Sequence, residues 1–164
     1  LLAPSYLVAE AAYDTRPSYF IYGGLLFVPL TRDYLATWGD QWWQTAPREL
    51  VALCEHGVRT PQLLQPVVLQ KVLADEVNQG YHTVESLLIE NVDGVSVRSL
   101  AHLIELVEGT DAPYLRFGGS DGQVIVVDVA AAAKRQKTVL RRFGVARDRS
   151  SLTPYDDEDP TPSQ

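Results

Sequence analysis

Apolar and polar positions divide the chain into short strands and a few amphipathic helices. Residues 19–30 (YFIYGGLLFVPL) form an aromatic and branched run broken by a glycine pair, which predicts strand, tight turn, strand. Pro29 cannot donate to a sheet ladder, so it marks an edge strand or a strand end. Thr31 is an N-cap candidate for a short helix ending near Gly39, and Pro47 opens a second helix with Gly57 past its end. Residues 66–77 start as a strand, and Asn78-Gln79-Gly80 is a turn. Residues 87–97 read as a strand, an Asp93-Gly94 turn and a short strand. Ser99 caps a helix from Leu100 to about Glu108, stopped at Gly109. Two more strands, 114–117 and 123–129, are joined through Ser120-Asp121-Gly122. Asp128 caps a last helix over about 130–143, with Gly144 as its left-handed end. Ala132, Gln136, Val139, Leu140 and Phe143 share one face of that helix.

The element order is mixed α+β and lacks the regular βαβ alternation of a nucleotide-binding sheet. The expected organisation is an arm over 1–17, one domain over 18–149 with a helical insertion over 31–57, and an acidic, proline-containing tail over 150–164. A chain of 164 residues buries enough surface to fold without disulfides or metal. The single cysteine, Cys54, rules out an intrachain disulfide framework and a multi-cysteine zinc site. No run approaches the ~20 apolar residues of a membrane span, and no N-terminal stretch reads as a signal peptide. The chain begins at Leu1 and contains no methionine, so it reads as a fragment or a processed product.

Charge changes the picture at one place. The net charge of −7 conceals a helix-bearing stretch over 130–149 with 7 basic residues and 1 acidic residue. A nucleic-acid contact is not expected there. The bulk of the chain is acidic, a basic helix face is usually a solvated one, Asp156–Asp159 can screen it, and no aromatic residues interleave it.

Catalytic chemistry finds no foothold. No serine sits in a nucleophile-elbow or protease setting. Cys54 and His56 are two apart on a predicted helix and point to different faces, so a packed cysteine beside a surface histidine is expected. His102 reads as solvated on its helix border. No His, Cys, Asp and Glu fall at zinc spacing, Gly23-Gly24 lacks a phosphate loop's Lys-Ser/Thr, and Asp75-Glu76 suggests no acid/base pair. No catalytic residue, metal or cofactor is expected.

Binding chemistry is more promising. A glycine turn before an apolar strand can present a nest of backbone donors to a peptide carboxylate, and the strand edge then accepts the peptide as an added strand. Trp38, Trp42 and Trp43 seal the insertion helices or, where exposed, mark an interface.

Residues 17–31 (PSYFIYGGLLFVPLT), residues 72–81 (VLADEVNQGY), the 91–104 hairpin and helix, and the stretch 123–143 together resemble the last PDZ-like domain of Deg/HtrA-type trypsin-like serine proteases. The similarity is to the branch shared by plant Deg proteases and bacterial relatives. It covers roughly residues 13–150. The resemblance implies a PDZ-like small β-barrel or sandwich with a groove helix, a helical insertion after the first core strand and a C-terminal helix. It implies a non-catalytic module that binds a protein C-terminus or an internal segment of its parent and regulates that protease. The alternative is a structural module that assembles or locks the parent, with homo-oligomers through the parent. The carboxylate loop maps onto Tyr22, Gly23, Gly24 and Leu25, the strand wall onto Leu25, Leu26 and Phe27, and the helix wall onto Leu100, Ile104 and Val107. A double glycine departs from the family loop, and extra mobility is expected from it. The compartment is not fixed by the residues; the family analogy leans to a bacterial exported protein.

Overall fold

The computed structural model describes residues 6–8 and 17–150. The elements in chain order are β1 (Phe20–Tyr22), β2 (Leu25–Pro29), α1 (Arg32–Ala36), α2 (Trp42–Thr45), α3 (Arg48–His56), β3 (Val67–Val72), a 3₁₀ turn (Glu76–Asn78), β4 (Glu85–Val92), β5 (Val95–Ser96), α4 (Leu100–Glu108), β6 (Tyr114–Gly119), β7 (Val124–Asp128) and α5 (Val129–Arg142). The strands form one curled antiparallel sheet in the order β1-β2-β3-β4-β6-β7, with β5 folded back on β4.

Strand alternation feeds two main cores. Leu25 and Phe27 of β2 point to one face, where Leu100, Leu103, Ile104 and Val107 of α4 close over Phe20, Leu69, Phe117 and Ile125. Val28 points to the other face, where α1 supplies Leu35, α3 supplies Leu50 and Cys54, and Trp42 of α2 packs against them. The insertion is therefore a second layer on the back of the sheet. A third small cluster joins Ile21 and Leu73 to Val139 of α5.

Local chemistry sets the helix ends. The Ser99 hydroxyl accepts the His102 N–H at 3.1 Å to start α4, and the Asp128 carboxylate accepts the Ala131 N–H at 2.9 Å to start α5. Gly144, at φ +69°, follows the end of α5. α5 buries only Ala132 and Val139 fully, so its docking depends on polar contacts as well.

Some expectations are met and others corrected. The strand begun at residue 66 stops at Val72, because Asp75 and Asn78 cap each other reciprocally around the 3₁₀ turn. Pro29 is the strand end that the sequence offered as one of two readings, and β2 lies between β1 and β3. His102 is half-buried and accepts the Arg98 N–H at 3.1 Å; burial, then the neighbouring Arg98 charge, lowers its pKa. Cys54 is buried, while the His56 side chain is 80% exposed. Trp38 and Trp42 are half-buried against the insertion core, and Trp43 is 49% exposed. The expected arm over 1–17 and tail over 150–164 lie mostly outside the described residues. Of the arm, Leu7 donates its N–H to Gly57 O at 3.1 Å.

Candidate functional site

Two consecutive positive φ angles, +54° at Gly23 and +82° at Gly24, make the β1–β2 connection a type I′ turn. Three of its main-chain polar groups are committed. Gly23 N–H donates to Gln136 Oε1 at 3.1 Å, and its carbonyl accepts from Asn78 Nδ2 at 2.9 Å. The Gly24 carbonyl accepts the Leu73 N–H at 2.7 Å. A Cβ on Gly24 would meet Asn78 Nδ2 at 2.3 Å and Leu73 O at 2.5 Å. The expected mobile loop is thus corrected: glycine is needed here for a tight, buried turn, and the Gly23 donor is already engaged.

β1 runs back along β2, with Phe20 opposite Phe27, Ile21 opposite Leu26 and Tyr22 opposite Leu25. β3 pairs with the other side of β2. The main chain of Leu25, Leu26 and Phe27 therefore has no open edge. Leu100, Ile104 and Val107 are buried in the main core with Phe20 and Phe27. They are not an open wall, so a charged residue at Leu100 or Ile104 would break the core itself. Aromatic rings line the interior side of the hairpin: Phe20 and Phe27 have centroids 6.3 Å apart, and Phe27 and Phe117 5.1 Å.

The outer edge of β1 pairs with a short extended segment that follows α5. Phe20 forms an antiparallel bridge with Arg149. Ile21 N–H donates to Asp148 O at 2.6 Å, and Ser150 N–H donates to Tyr19 O at 3.1 Å. Tyr19 N–H donates to Ser150 Oγ at 2.9 Å. Beyond this stretch Gln136 Nε2 donates to Ile21 O at 2.6 Å. The Arg149 guanidinium lies over the Phe20 ring, 5.1 Å from its centroid, and reaches Glu108 Oε1 of α4 at 2.5 Å. Its pKa is raised by hydrogen bonds to Asp148 and to Glu108. An open cavity of about 590 Å³ lies between α5 and this segment, lined by Gln136, Lys137 and Leu140 on the helix side.

Below the turn lies an ion-pair network. Arg135 grips the buried Asp75 carboxylate in fork geometry, Nε to Oδ1 at 3.0 Å and Nη2 to Oδ2 at 2.7 Å. Arg142 approaches the same carboxylate at 3.2 Å, and Arg135 also pairs with Glu76 at 3.3 Å. The Arg135 hydrogen bonds hold the Asp75 carboxyl below the usual carboxylate range, against the opposing effect of burial. Three of the basic residues over 130–149 are thereby spent on internal carboxylates: Arg135, Arg142 and Arg149.

Sequence reasoning assigned no role to Asp75, Asn78, Glu108, Gln136 or Arg149. The run 72–81, one of the stretches that carry the family resemblance, contributes two residues of the network under the turn, Asp75 and Asn78. Among the described residues, no group of three or more His, Cys, Asp or Glu side chains could hold a metal ion. Among them, too, no helix is long and apolar enough to cross a membrane.

Comparison with known proteins places this geometry. A family model described as a PDZ domain matches residues 8–152. The chain is 32% identical over 134 residues to protease Do-like 4, mitochondrial, of Arabidopsis thaliana, covering 82% of this chain and 23% of the relative. It is 30% identical over 144 residues to protease Do-like 2, chloroplastic, of the same plant, covering 87% of this chain and 23% of the relative. It is 32% identical over 106 residues to a serine protease DegP homolog of Plasmodium falciparum, covering 64% of this chain and 11% of the relative. The chain spans about a quarter of the length of the plant relatives it matches. The chain belongs to the PDZ domains of the Deg/Do-like protease family.

Proposed function

We propose that this PDZ domain recognises extended peptide segments by adding them to the outer edge of β1, and thereby regulates the protease that carries it. The observation that supports this is the antiparallel seating of 148–150 on that edge through main-chain hydrogen bonds. It is strand addition, the mode by which sheet edges take peptides. Leu25, Leu26 and Phe27 hold β1 from one side, and Leu100, Ile104 and Val107 hold α4 beside it. With the Gly23 N–H engaged, the ligand is an internal segment and its terminal carboxylate contributes little.

The test is a fluorescent peptide library bound to the whole chain, each peptide as free acid and as amide. Micromolar binding, about −8 kcal/mol, that is unchanged within twofold on amidation is expected. Binding lost on amidation would overturn the reading in favour of carboxylate capture. One observation favours a second reading, assembly of the parent: Trp43 is 49% exposed and packs edge-on against Trp42 at 5.9 Å. Sedimentation of Trp43→Ala that matches wild type at every concentration would remove it.

A further inference from the structure

We propose that the β1 edge selects extended segments bearing an arginine opposite Phe20, and that residues 147–150 are a resident, exchangeable copy of that ligand. This rests on the strand-addition reading above and names its ligand class. Two elements distant in sequence converge on the Arg149 side chain. Phe20 of β1 offers a ring face at 5.1 Å, and Glu108 at the end of α4 offers a carboxylate oxygen at 2.5 Å. A planar guanidinium can stack on the first and hydrogen-bond the second at once, whereas an ammonium serves mainly as a point charge.

The main chain sets the register. Ile21 N–H takes the carbonyl of the residue before the arginine, and Tyr19 O takes the N–H of the residue after it. The flanking preferences follow. Asp148 hydrogen-bonds the same guanidinium, Nε to Oδ1 at 3.2 Å and Nη2 to Oδ2 at 3.0 Å. Ser150 accepts the Tyr19 N–H. The recognised pattern is therefore an arginine followed by a small hydroxyl, and the preceding acid orients the guanidinium from within the segment. The Arg149 and Glu108 side chains are 35% and 53% exposed, and ion pairs of that exposure are weak. A segment held by such contacts can be exchanged for one offered in trans.

The test uses the full chain carrying Arg149→Ala and Ser150→Pro, which removes the guanidinium and one main-chain donor from the resident segment. The probe is a labelled, end-blocked peptide, Ala-Arg-Asp-Arg-Ser-Ser, read by fluorescence anisotropy. Binding at least tenfold tighter than to wild type is expected. Replacing the second arginine of the probe with alanine should cost about tenfold, the combined scale of a cation–π contact and an exposed ion pair. Adding Glu108→Ala should narrow that gap. Equal binding of the arginine and alanine probes overturns the selectivity while strand addition stands. No binding to a variant with wild-type circular dichroism overturns strand addition as well. If the double variant fails to fold, Glu108→Arg in the otherwise unchanged chain should speed exchange of the Ser150 amide and shift preference to a glutamate-bearing probe. Unchanged exchange and unchanged preference there would overturn the proposal.

Discussion

Two hairpin turns in this molecule are built alike and do different things. Gly23-Gly24 has φ angles of +54° and +82°, and Asp93-Gly94 has +50° and +81°. Both are type I′ reversals. Around Gly94 a Cβ would meet nothing within 4 Å. Its N–H reaches Asn91 Oδ1 at 3.3 Å, two residues before the turn begins. Around Gly23-Gly24 the partners come from 55 and 113 residues away, through Asn78 and Gln136. Local sequence thus writes the conformation of a turn. What the turn is for is decided by whatever the rest of the chain packs against it.

The sharpest way to break the likeness is a methyl group on each second glycine. Gly24→Ala adds left-handed strain of 1–2 kcal/mol to overpacking of similar size, so a loss of about 3 kcal/mol is expected. Gly94→Ala carries the strain alone, about 1 kcal/mol. Urea unfolding of the two variants measures the difference directly, and equal midpoints would remove the distinction between the turns.

The next effect is electrostatic. Asp75 is buried behind the Gly23-Gly24 turn and gripped by Arg135, whereas Asp93 sits within its own turn, 4.0 Å from Arg116. Because hydrogen bonding from Arg135 lowers the folded pKa of Asp75 below 3.8, its contribution is complete above that value. It is lost as pH falls through the lower folded value. Asp75→Asn keeps capping ability but gives up charge-assisted hydrogen bonds, a loss of about 2 kcal/mol at neutral pH. The gap between wild type and variant should narrow below about pH 3.8, tracked by thermal melts across the acid range. A gap that stays constant to low pH would mean the carboxylate charge is not what secures the turn.

The same contrast explains what could be read in the sequence. α4 was legible to the residue, since Ser99 and Gly109 bracket it with short-range chemistry. The PDZ-like architecture was legible too, through its motif order and its α+β pattern. The state of the site was not. Gly23-Gly24 has the same local signature whether it forms a donor nest or a sealed turn, and only Gln136 and Asn78 distinguish them. The segment 148–150 has no periodicity of its own. It follows the left-handed Gly144 after α5 and pairs with a strand 129 residues earlier in the chain, Phe20 with Arg149. Asp75 read only as one of two adjacent acids because its partner lies 60 residues away.

Gln136 offers the smallest stability effect and the finest probe. Its amide spans two groups on the β1 edge, donating to Ile21 O at 2.6 Å and accepting from Gly23 N–H at 3.1 Å. Gln136→Ala removes both bonds at a half-buried position, an expected loss of about 1 kcal/mol. No bond anchoring 148–150 is touched, so peptide addition should persist. The Gly23 N–H is freed, and its hydrogen exchange should approach that of the exposed Gly94 amide. A freed donor at the end of a strand edge is what terminal-carboxylate capture needs. In the variant, free-acid peptides should therefore outbind their amides, a preference the wild-type chain lacks. If exchange at Gly23 rises and the acid preference still does not emerge, a second donor is missing, and the turn is structural whatever its hydrogen bonds.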